Sequence, residues 1–367
     1  MIRHPVRFGV NARACRFRIV MRRTHWITAA AMLFSLLAGD VAYWRVAAGR
    51  LKTGYQHWLA GRVAEGWDVH SGVLSIGGWP GAARVSVPNL TLRHVGGAIP
   101  WDVQIAAAAV DLSVPLLDPA SLRISLTGPA HVRAGGAPDM IVTSEENTVT
   151  VPLLSVGRRR IELNVRNLRI DPASGDWHTT LGLLNASIDA PSLIEASQPG
   201  SAVAFSASAE AVALPALVKW PLGPNISSVT LGGSVNGPMP MTRDPTAWAR
   251  AWRDGGGSLA ISHFTMGWGP LGLTASATLA LDDQLQPMGS GNGRLVGYAA
   301  TLDKLAEAGI LTKSAATAAK AVLLLMAGAG DPDQPPAVDV PLTLQYRTLS
   351  MRQVPLLRLP ELDWPAH

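Results

Sequence analysis

The sequence predicts a mainly β (α+β) protein in which antiparallel, curved, one-faced sheets and a few helices follow one N-terminal transmembrane helix. After residue 67, apolar and polar residues alternate over long runs, as they do in strands with one buried and one solvated face. The composition is rich in turn formers, with 36 glycines and 27 prolines in 367 residues, which argues against an all-helical bundle. Hydrophobic residues make up 48% and charged residues 16%, a balance that excludes wholesale disorder.

An uncharged apolar run occupies residues 24–39, and Asp40 is the first acidic residue of the chain. Continued as far as Trp44, the run approaches the roughly 20 residues that cross a bilayer as a helix. We therefore predict a transmembrane anchor over residues 24–45. Seven arginines precede residue 24, so the positive-inside rule assigns the basic residues 1–23 to the cytoplasm and residues 46–367 to the other side.

Two other interpretations of this segment stay open at the level of sequence. A basic region, an apolar run and small residues are also the parts of a cleaved signal peptide, although Leu36 stands where cleavage prefers a small residue. The segment is alternatively a buried helix of a soluble protein. Met21, followed by two arginines, is an alternative translation start to Met1.

The net charge of +5 does not indicate a nucleic-acid-binding protein. Removing the seven N-terminal arginines from the 31 basic residues leaves 24, against 26 acidic residues. Nucleic-acid binding requires a basic stripe on a folded face, and the excess here precedes an apolar run instead. We therefore expect no nucleic-acid partner.

Residues 46–66 are predicted to form an amphipathic helix that ends at Gly66. Its apolar residues recur with the 3.6-residue period of one helix face; they are Leu51, Tyr55, Trp58, Leu59 and Val63. Such a helix lies on the membrane surface or packs on the following sheet, and the second arrangement is favoured.

Two β-rich halves are predicted to follow, over residues 67–241 and 242–367, with helices near 245–254 and 301–327. The clearest strand runs from Leu271 to Leu281. The candidate apolar groove is assigned to its leucines on one face, which are Leu271, Leu273, Leu279 and Leu281.

A loosely duplicated strand unit supports the β prediction. In the two segments 85–92 and 163–170, apolar residues occupy positions 0, 2, 5 and 7, and the shift of phase falls at Asn89-Leu90 and Asn167-Leu168. The same spacing without asparagine begins at Leu259 and at Leu344. An extra residue that changes the facing of a strand indicates a β-bulge or bend, so we expect one at each copy.

Motifs of catalysis or metal binding are weak throughout the chain. The single cysteine, Cys15, excludes a disulfide framework and any cysteine-based zinc site. The nine histidines are scattered, with no pair at helical zinc spacing. The glycine-rich segment 289–293 lacks the remainder of a phosphate-binding motif and is predicted as a loop between a strand and a helix. We expect no cofactor, no metal and no enzymatic activity, with an active site built from distant residues as the remaining alternative.

Several segments resemble a family of uncharacterised bacterial envelope proteins defined only by a domain of unknown function, and more remotely the AsmA-like proteins. The resemblance covers most of residues 26–360. The segments that carry it are residues 44–67, Gly66-Trp67-Asp68-Val69 leading to Gly78-Trp79-Pro80, Gly267-Trp268-Gly269-Pro270-Leu271 running to Leu285-Gln286-Pro287-Met288-Gly289, and Val354-Pro355-Leu356 to Leu359-Pro360. Trp79 in the glycine–aromatic–proline turn and Arg352-Gln353 before Val354 depart from the family pattern. The resemblance to AsmA-like proteins implies a single-pass anchor in the bacterial inner membrane, a periplasmic β-rich body with a hydrophobic groove, and a role in lipid handling or envelope upkeep.

Two non-catalytic functions follow as expectations. One is the binding of phospholipid or another acyl-chain lipid in an apolar β-groove, which needs only non-directional contacts. The other is a scaffold of the cell envelope that has no lipid ligand and binds envelope proteins through its loops.

Overall fold

The computed structural model describes residues 14–94, 102–154, 157–191, 202–240, 242, 244–327, 336–351 and 354–364. Within these residues the fold is one large antiparallel sheet with four helices, which confirms the predicted fold class. The helices are α1 (Ala14–Ala64), α2 (Pro245–Asp254), α3 (Tyr298–Glu307) and α4 (Lys313–Ala327). The strands are β1 (Asp68–His70), β2 (Ser75–Gly77), β3 (Ala82–His94), β4 (Val103–Pro115), β5 (Ser121–Ala134), β6 (Met140–Thr143), β7 (Glu146–Pro152), β8 (Arg159–Pro172), β9 (Thr179–Ala190), β10 (Ala202–Ala213), β11 (Asn225–Asn236), β12 (Ser258–Trp268), β13 (Leu271–Leu281), β14 (Pro287–Val296), β15 (Ala337–Gln345), β16 (Thr348–Met351) and β17 (Val354–Arg358).

Helix α1 joins the predicted anchor and the predicted amphipathic helix into one element of 51 residues, about 76 Å long at 1.5 Å per residue. The part from Trp26 to Ala64 contains a window long and apolar enough to cross a membrane, and that window is not buried by the rest of the protein. The helix ends as expected near Gly66, whose φ of 85° lets the Trp67 N–H donate to the Arg62 carbonyl. Beyond Asp40, α1 packs on the sheet, as the favoured interpretation of residues 46–66 anticipates.

The sheet is a meander in which nearly every strand pairs with its neighbour in sequence. From β8 to β17 each strand pairs antiparallel with the next, and the pairing of β11 with β12 continues the sheet across the boundary predicted between the halves. At two places in the sheet, two short strands take the place of one long strand. Strands β1 and β2 both pair with β3, and β6 and β7 both lie between β5 and β8. Asn147 bridges the second interruption, because its side chain bonds both the N–H and the carbonyl of Leu126.

One face of this sheet is apolar from β3 to β15. Residues that are direct cross-strand partners project on the same face, so a single row of partners can be followed across the sheet. In strand order the row is Val85, Leu112, Ile124, Val149, Leu163, Ala186, Ala207, Leu231, Phe264, Ala275, Gly293 and Val340. The adjacent row on the opposite face is polar from β7 onward: Thr148, Asn164, Asn185, Ser208, Thr230, Thr265, Thr274, Arg294 and Asp339.

The duplicated strand unit marks positions along a strand at which the alternation between apolar-side and polar-side residues shifts by one residue. Asn89 and Asn167 both adopt left-handed backbone conformations, with φ of 51° and 48°, which asparagine tolerates better than most residues. The third copy contains the expected bulge, between Ile261 and Phe264. The bulge predicted for the fourth copy, which begins at Leu344, is wrong. Tyr346 and Arg347, both with positive φ, form the hairpin turn between β15 and β16, so the spacing there spans two strands.

Helices cover the apolar face at both ends of the sheet. At one end α1 buries a core around Val85 and Val87, and at the other α3 and α4 bury one around Val338 and Val340. Between them the row on β8–β11 is only half-buried, and the neighbouring Ile188 is 48% exposed. The segment 289–293, predicted as a loop, is instead part of strand β14, because its glycines alternate with polar residues in register with β13 and β15.

Candidate functional site

An apolar cavity of about 890 Å³ lies between α1 and the first strands of the sheet. This volume is at the upper end of the roughly 300–1,000 Å³ of typical ligand pockets. Its lining residues from α1 are Tyr43, Val46, Ala47, Arg50, Leu51, Gly54, Tyr55 and Trp58, and from the sheet and its loops Val87, Leu90, Leu92, Ile105, Ala107, Val110, Leu112, Val114, Pro119, Leu122, Ile124, Leu126, Leu153 and Leu154.

Helix α1 forms one wall because its buried residues recur on one face. Ala48, Leu51 and Tyr55 are buried at spacings of three and four residues, the period that aligns side chains along a helix. The Trp44 indole N–H donates to the Gly77 carbonyl at 3.1 Å and ties the start of this wall to β2. The wall is therefore held against the sheet from its first turn onward.

The mouth of the cavity lies along the exposed edge of this wall. Val46, Arg50, Gly54 and Trp58 follow one another at four-residue spacing, and all four are exposed while lining the cavity. On the side of the sheet and its loops the exposed lining residues are Pro119, Leu126, Leu153 and Leu154, of which Leu154 is 80% exposed. Exposed leucines at the rim of an apolar cavity are typical of a surface that binds an apolar ligand.

The floor of the cavity depends on the shift of phase in β3. Val87 and Leu90 are both buried against α1 although they are three residues apart, and in an uninterrupted strand they would face opposite sides. The left-handed conformation of Asn89 between them returns Leu90 and Leu92 to the helix side. The asparagine noted in the repeat thus serves the cavity directly.

Two polar groups stand out in this lining. Arg50 is the only charged residue among the described residues that line the cavity. Tyr55 is 7% exposed, its ring stacks on Trp58 at 5.8 Å, and its hydroxyl has no hydrogen-bond partner among the described residues. A buried hydroxyl without a partner is costly in a folded protein, so Tyr55 is an unusual residue in this lining.

The predicted groove residues lie elsewhere on the same face. Leu271, Leu273, Leu279 and Leu281 are partly buried on β13, and none of them lines the cavity. Sequence reasoning identified the apolar stripe of α1 but assigned it to packing, and it missed the contribution of β3–β5. The signal in the sequence that indicates this site is the proximity of two apolar stripes, one on α1 and one on β3. Only Gly66 and the short strands β1 and β2 lie between them.

A second, smaller concavity of about 370 Å³ lies among strands β8–β12, on the polar face. Its polar residues include Glu162, Asn164 and His263, and the hydroxyls of Ser187 and Ser206 bond each other at 2.9 Å. Within the described part of the chain, no group of three histidine, cysteine or acidic side chains is placed to hold a metal ion.

Among the residues that the structure describes, one pair, Arg169 and Asp171, has shifted pKa values, and it lies away from both concavities. The Arg169 guanidinium donates hydrogen bonds to Asp171 at 2.7–3.0 Å and holds the pKa of that carboxyl below its usual range. Both residues are on β8, and the pair is exposed, so it is a surface ion pair.

Comparisons with known proteins identify a family. No curated protein and no solved structure matches the chain. A family profile matches residues 44–360, which include all the cavity-lining residues of α1 except Tyr43 and every described strand of the sheet. The chain belongs to this family, which is described as uncharacterized protein conserved in bacteria (DUF2125).

Proposed function

We propose that this protein is a non-catalytic, membrane-anchored protein of the bacterial envelope whose cavity binds an acyl-chain lipid. The observation that carries the proposal is the position of the cavity next to the apolar part of α1. The exposed apolar run ends at Asp40, and Tyr43, the first lining residue, follows about 5 Å further along the same helix. The last lining residue of α1, Trp58, lies about 27 Å beyond Asp40.

The continuity of α1 supports a direct path between membrane and cavity. Because the span and the wall are one helix, a bilayer surface near Asp40 would bring the mouth of the cavity within reach of the lipid headgroups. The lining offers almost entirely apolar side chains, which bind an acyl chain through non-directional burial of apolar surface. The arginines before residue 24 favour a cytoplasmic N-terminus in the inner membrane and a periplasmic body. The remote resemblance to AsmA-like proteins points the same way.

Filling the mouth of the cavity tests the proposal. Gly54 lines the mouth, and a side chain added there would meet open space. Gly54→Leu should block lipid entry without loss of fold, because leucine also favours the helix by about 0.8 kcal/mol over glycine. Gly49→Leu is the matched control: Gly49 also faces open space on α1 but does not line the cavity.

The measurement is photocrosslinking of the full-length protein in vesicles that contain a phospholipid with a photoreactive acyl chain. We expect wild type and the Gly49→Leu variant to give adducts on peptides of β3–β5, and the Gly54→Leu variant to give at least several-fold fewer. Adducts on residues 26–39 report ordinary bilayer contact and serve as the internal reference. Equal adducts on β3–β5 in both variants would contradict lipid binding in this cavity.

A scaffold without a lipid ligand is the second candidate. The observation that favours it is the half-buried apolar row on β8–β11, a surface that a protein partner could cover. Wild-type protein that gives adducts on residues 26–39 and none on β3–β5, while it co-purifies with an envelope protein through β8–β11, would support this function instead.

A further inference from the structure

We propose that the cavity selects an anionic glycerolipid, with Arg50 binding the headgroup phosphate at the mouth and the Tyr55 hydroxyl donating a hydrogen bond to an acyl ester carbonyl inside. This inference rests on the lipid-binding function proposed above and names the class of lipid. It concerns the two polar groups of the lining that packing does not explain.

Arg50 has the position and the charge for a phosphate. It is exposed and lines the cavity, four residues from Val46 and from Gly54 on the side of α1 that forms the mouth. Among the residues that the structure describes, no carboxylate pairs with it. A guanidinium forms strong, paired hydrogen bonds with phosphate oxygens, so an anionic headgroup would supply the missing partner.

Tyr55, in contrast to Arg50, is buried, and it offers a hydrogen-bond donor rather than a charge. It lies in the core formed with Val87, Leu90 and Val110, and its hydroxyl is buried without a partner in the described part of the chain. A purely hydrocarbon ligand would leave this donor unsatisfied. An ester carbonyl accepts one hydrogen bond from it without bringing a charge into the apolar lining.

The spacing of the two groups matches the order of groups in such a lipid. Tyr55 follows Arg50 by five residues, about 7.5 Å along the helix, and lies on the buried side while Arg50 lies on the exposed side. In a glycerophospholipid the charged phosphate and the acyl esters are joined through glycerol, with the apolar chains beyond the esters. A charged group outside, an ester at the edge of the core and chains in the cavity therefore fit this arrangement.

The first experiment measures headgroup preference with full-length protein in vesicles of phosphatidylethanolamine and phosphatidylglycerol in equal parts. One of the two lipids at a time carries the photoreactive chain, and adducts on β3–β5 are normalised to those on residues 26–39. Both lipids carry the phosphate, but in phosphatidylethanolamine an ammonium group neutralises it and repels the guanidinium of Arg50. We therefore expect wild type to favour phosphatidylglycerol by about tenfold, the scale of one charged interaction.

The variant Arg50→Gln should lose this preference, whereas Lys52→Gln should retain it. Lys52 carries the same charge two residues along the same helix but does not line the cavity, so both variants change the surface charge equally. Equal loss in the two variants, or an unchanged preference in Arg50→Gln, would overturn the assignment of Arg50.

The second experiment compares diester and diether forms of phosphatidylglycerol. Wild type should favour the diester by about threefold, since one neutral hydrogen bond is at stake, and Tyr55→Phe should bind both forms alike. Removal of the unpartnered hydroxyl should not lower the thermal stability of the lipid-free protein, which separates this effect from misfolding. A diester preference that persists in Tyr55→Phe would overturn the role of Tyr55.

Two further results separate this inference from the function on which it rests. Wild type that gives no adducts on β3–β5 with either lipid would contradict lipid binding itself. Abundant adducts of equal yield from both headgroups would leave lipid binding intact and overturn the selection. Soluble glycerophosphate should not compete, because it lacks the chains that fill the cavity, and effective competition would indicate a phosphate site rather than a lipid site.

Discussion

Helices cover the apolar face at each end of the sheet, α1 at one end and α3 and α4 at the other, yet the two ends are packed differently, and the large cavity lies at the α1 end. There the face presents Val87, Leu112 and Ile124, and α1 stands over these branched side chains with void between them. At the other end, the glycines of β14 lie on the apolar side, and leucines of the flanking strands lie beside them: the Leu342 and Leu273 side chains come within 4.0 Å of where a Cβ of Gly293 would be. The comparison teaches that one apolar face is packed in two ways, with a large void beneath α1 and with close approach of neighbouring strands at the glycines of β14.

The largest expected effect is at the glycine-lined end. A Cβ at Gly289 would collide with the Thr278 carbonyl oxygen and lie 2.9 Å from the Leu279 Cα, so Gly289→Ala should destabilise the protein by about 3 kcal/mol. Gly293→Ala is the control on the same strand and face, because its Cβ would meet nothing closer than 3.8 Å. Urea unfolding of the two variants measures the difference. Similar stabilities would show that this end is not closed by close approach of the strands.

A smaller difference in stability is expected between valines that lie under a helix at either end of the apolar face and a valine on the half-buried strands between them. Val87→Ala and Val338→Ala, both at 0% exposure under a helix, should each cost about 2 kcal/mol of unfolding free energy. Val229→Ala, on the half-buried part of β11, should cost less than about 1 kcal/mol, since its side chain is only partly removed from water. Equal costs at all three sites would mean that the middle of the face is covered in solution, as it would be in an oligomer.

The smallest effect concerns the polar face of the middle strands. Arg169→Gln should let the pKa of Asp171 rise toward its ordinary value, because the hydrogen bond that lowers it is lost. A carboxyl whose folded-state pKa is lowered stabilises the fold above its unfolded-state pKa, and this contribution is lost as pH falls through the folded-state pKa. The pair is exposed, so the variant should differ from wild type only slightly in stability, and only above that range.

Titration of the Asp171 carboxyl by NMR measures the shift directly. Arg166→Gln is the control on the same strand, since Arg166 pairs with Glu146 instead. A pKa of Asp171 that does not move in Arg169→Gln would show that the ion pair does not persist in solution.

Much of this architecture was predictable from local pattern. Alternation along β13, the helices at Pro245–Asp254 and Lys313–Ala327, and the bends at Asn89 and Asn167 all follow from properties of neighbouring residues. The fourth repeat failed for the same reason, because a spacing that suits a bulge also suits two short strands around Tyr346 and Arg347. Likewise, glycines in β14 indicated a loop only because their partners on β13 and β15 were not visible in the sequence.

The sequence by itself determined that the strands are antiparallel and one-faced, and that an apolar run precedes them, because periodicity and charge are local properties of the chain. Only the tertiary structure decided that the halves form one sheet, that the apolar run and the amphipathic segment are a single helix, and that a large cavity lies beside Arg50 and Tyr55. The alternation of apolar and polar residues in the sequence indicates which side of each strand is apolar. What covers that side depends on contacts between residues far apart in the chain, and these become defined only when the whole sheet has formed.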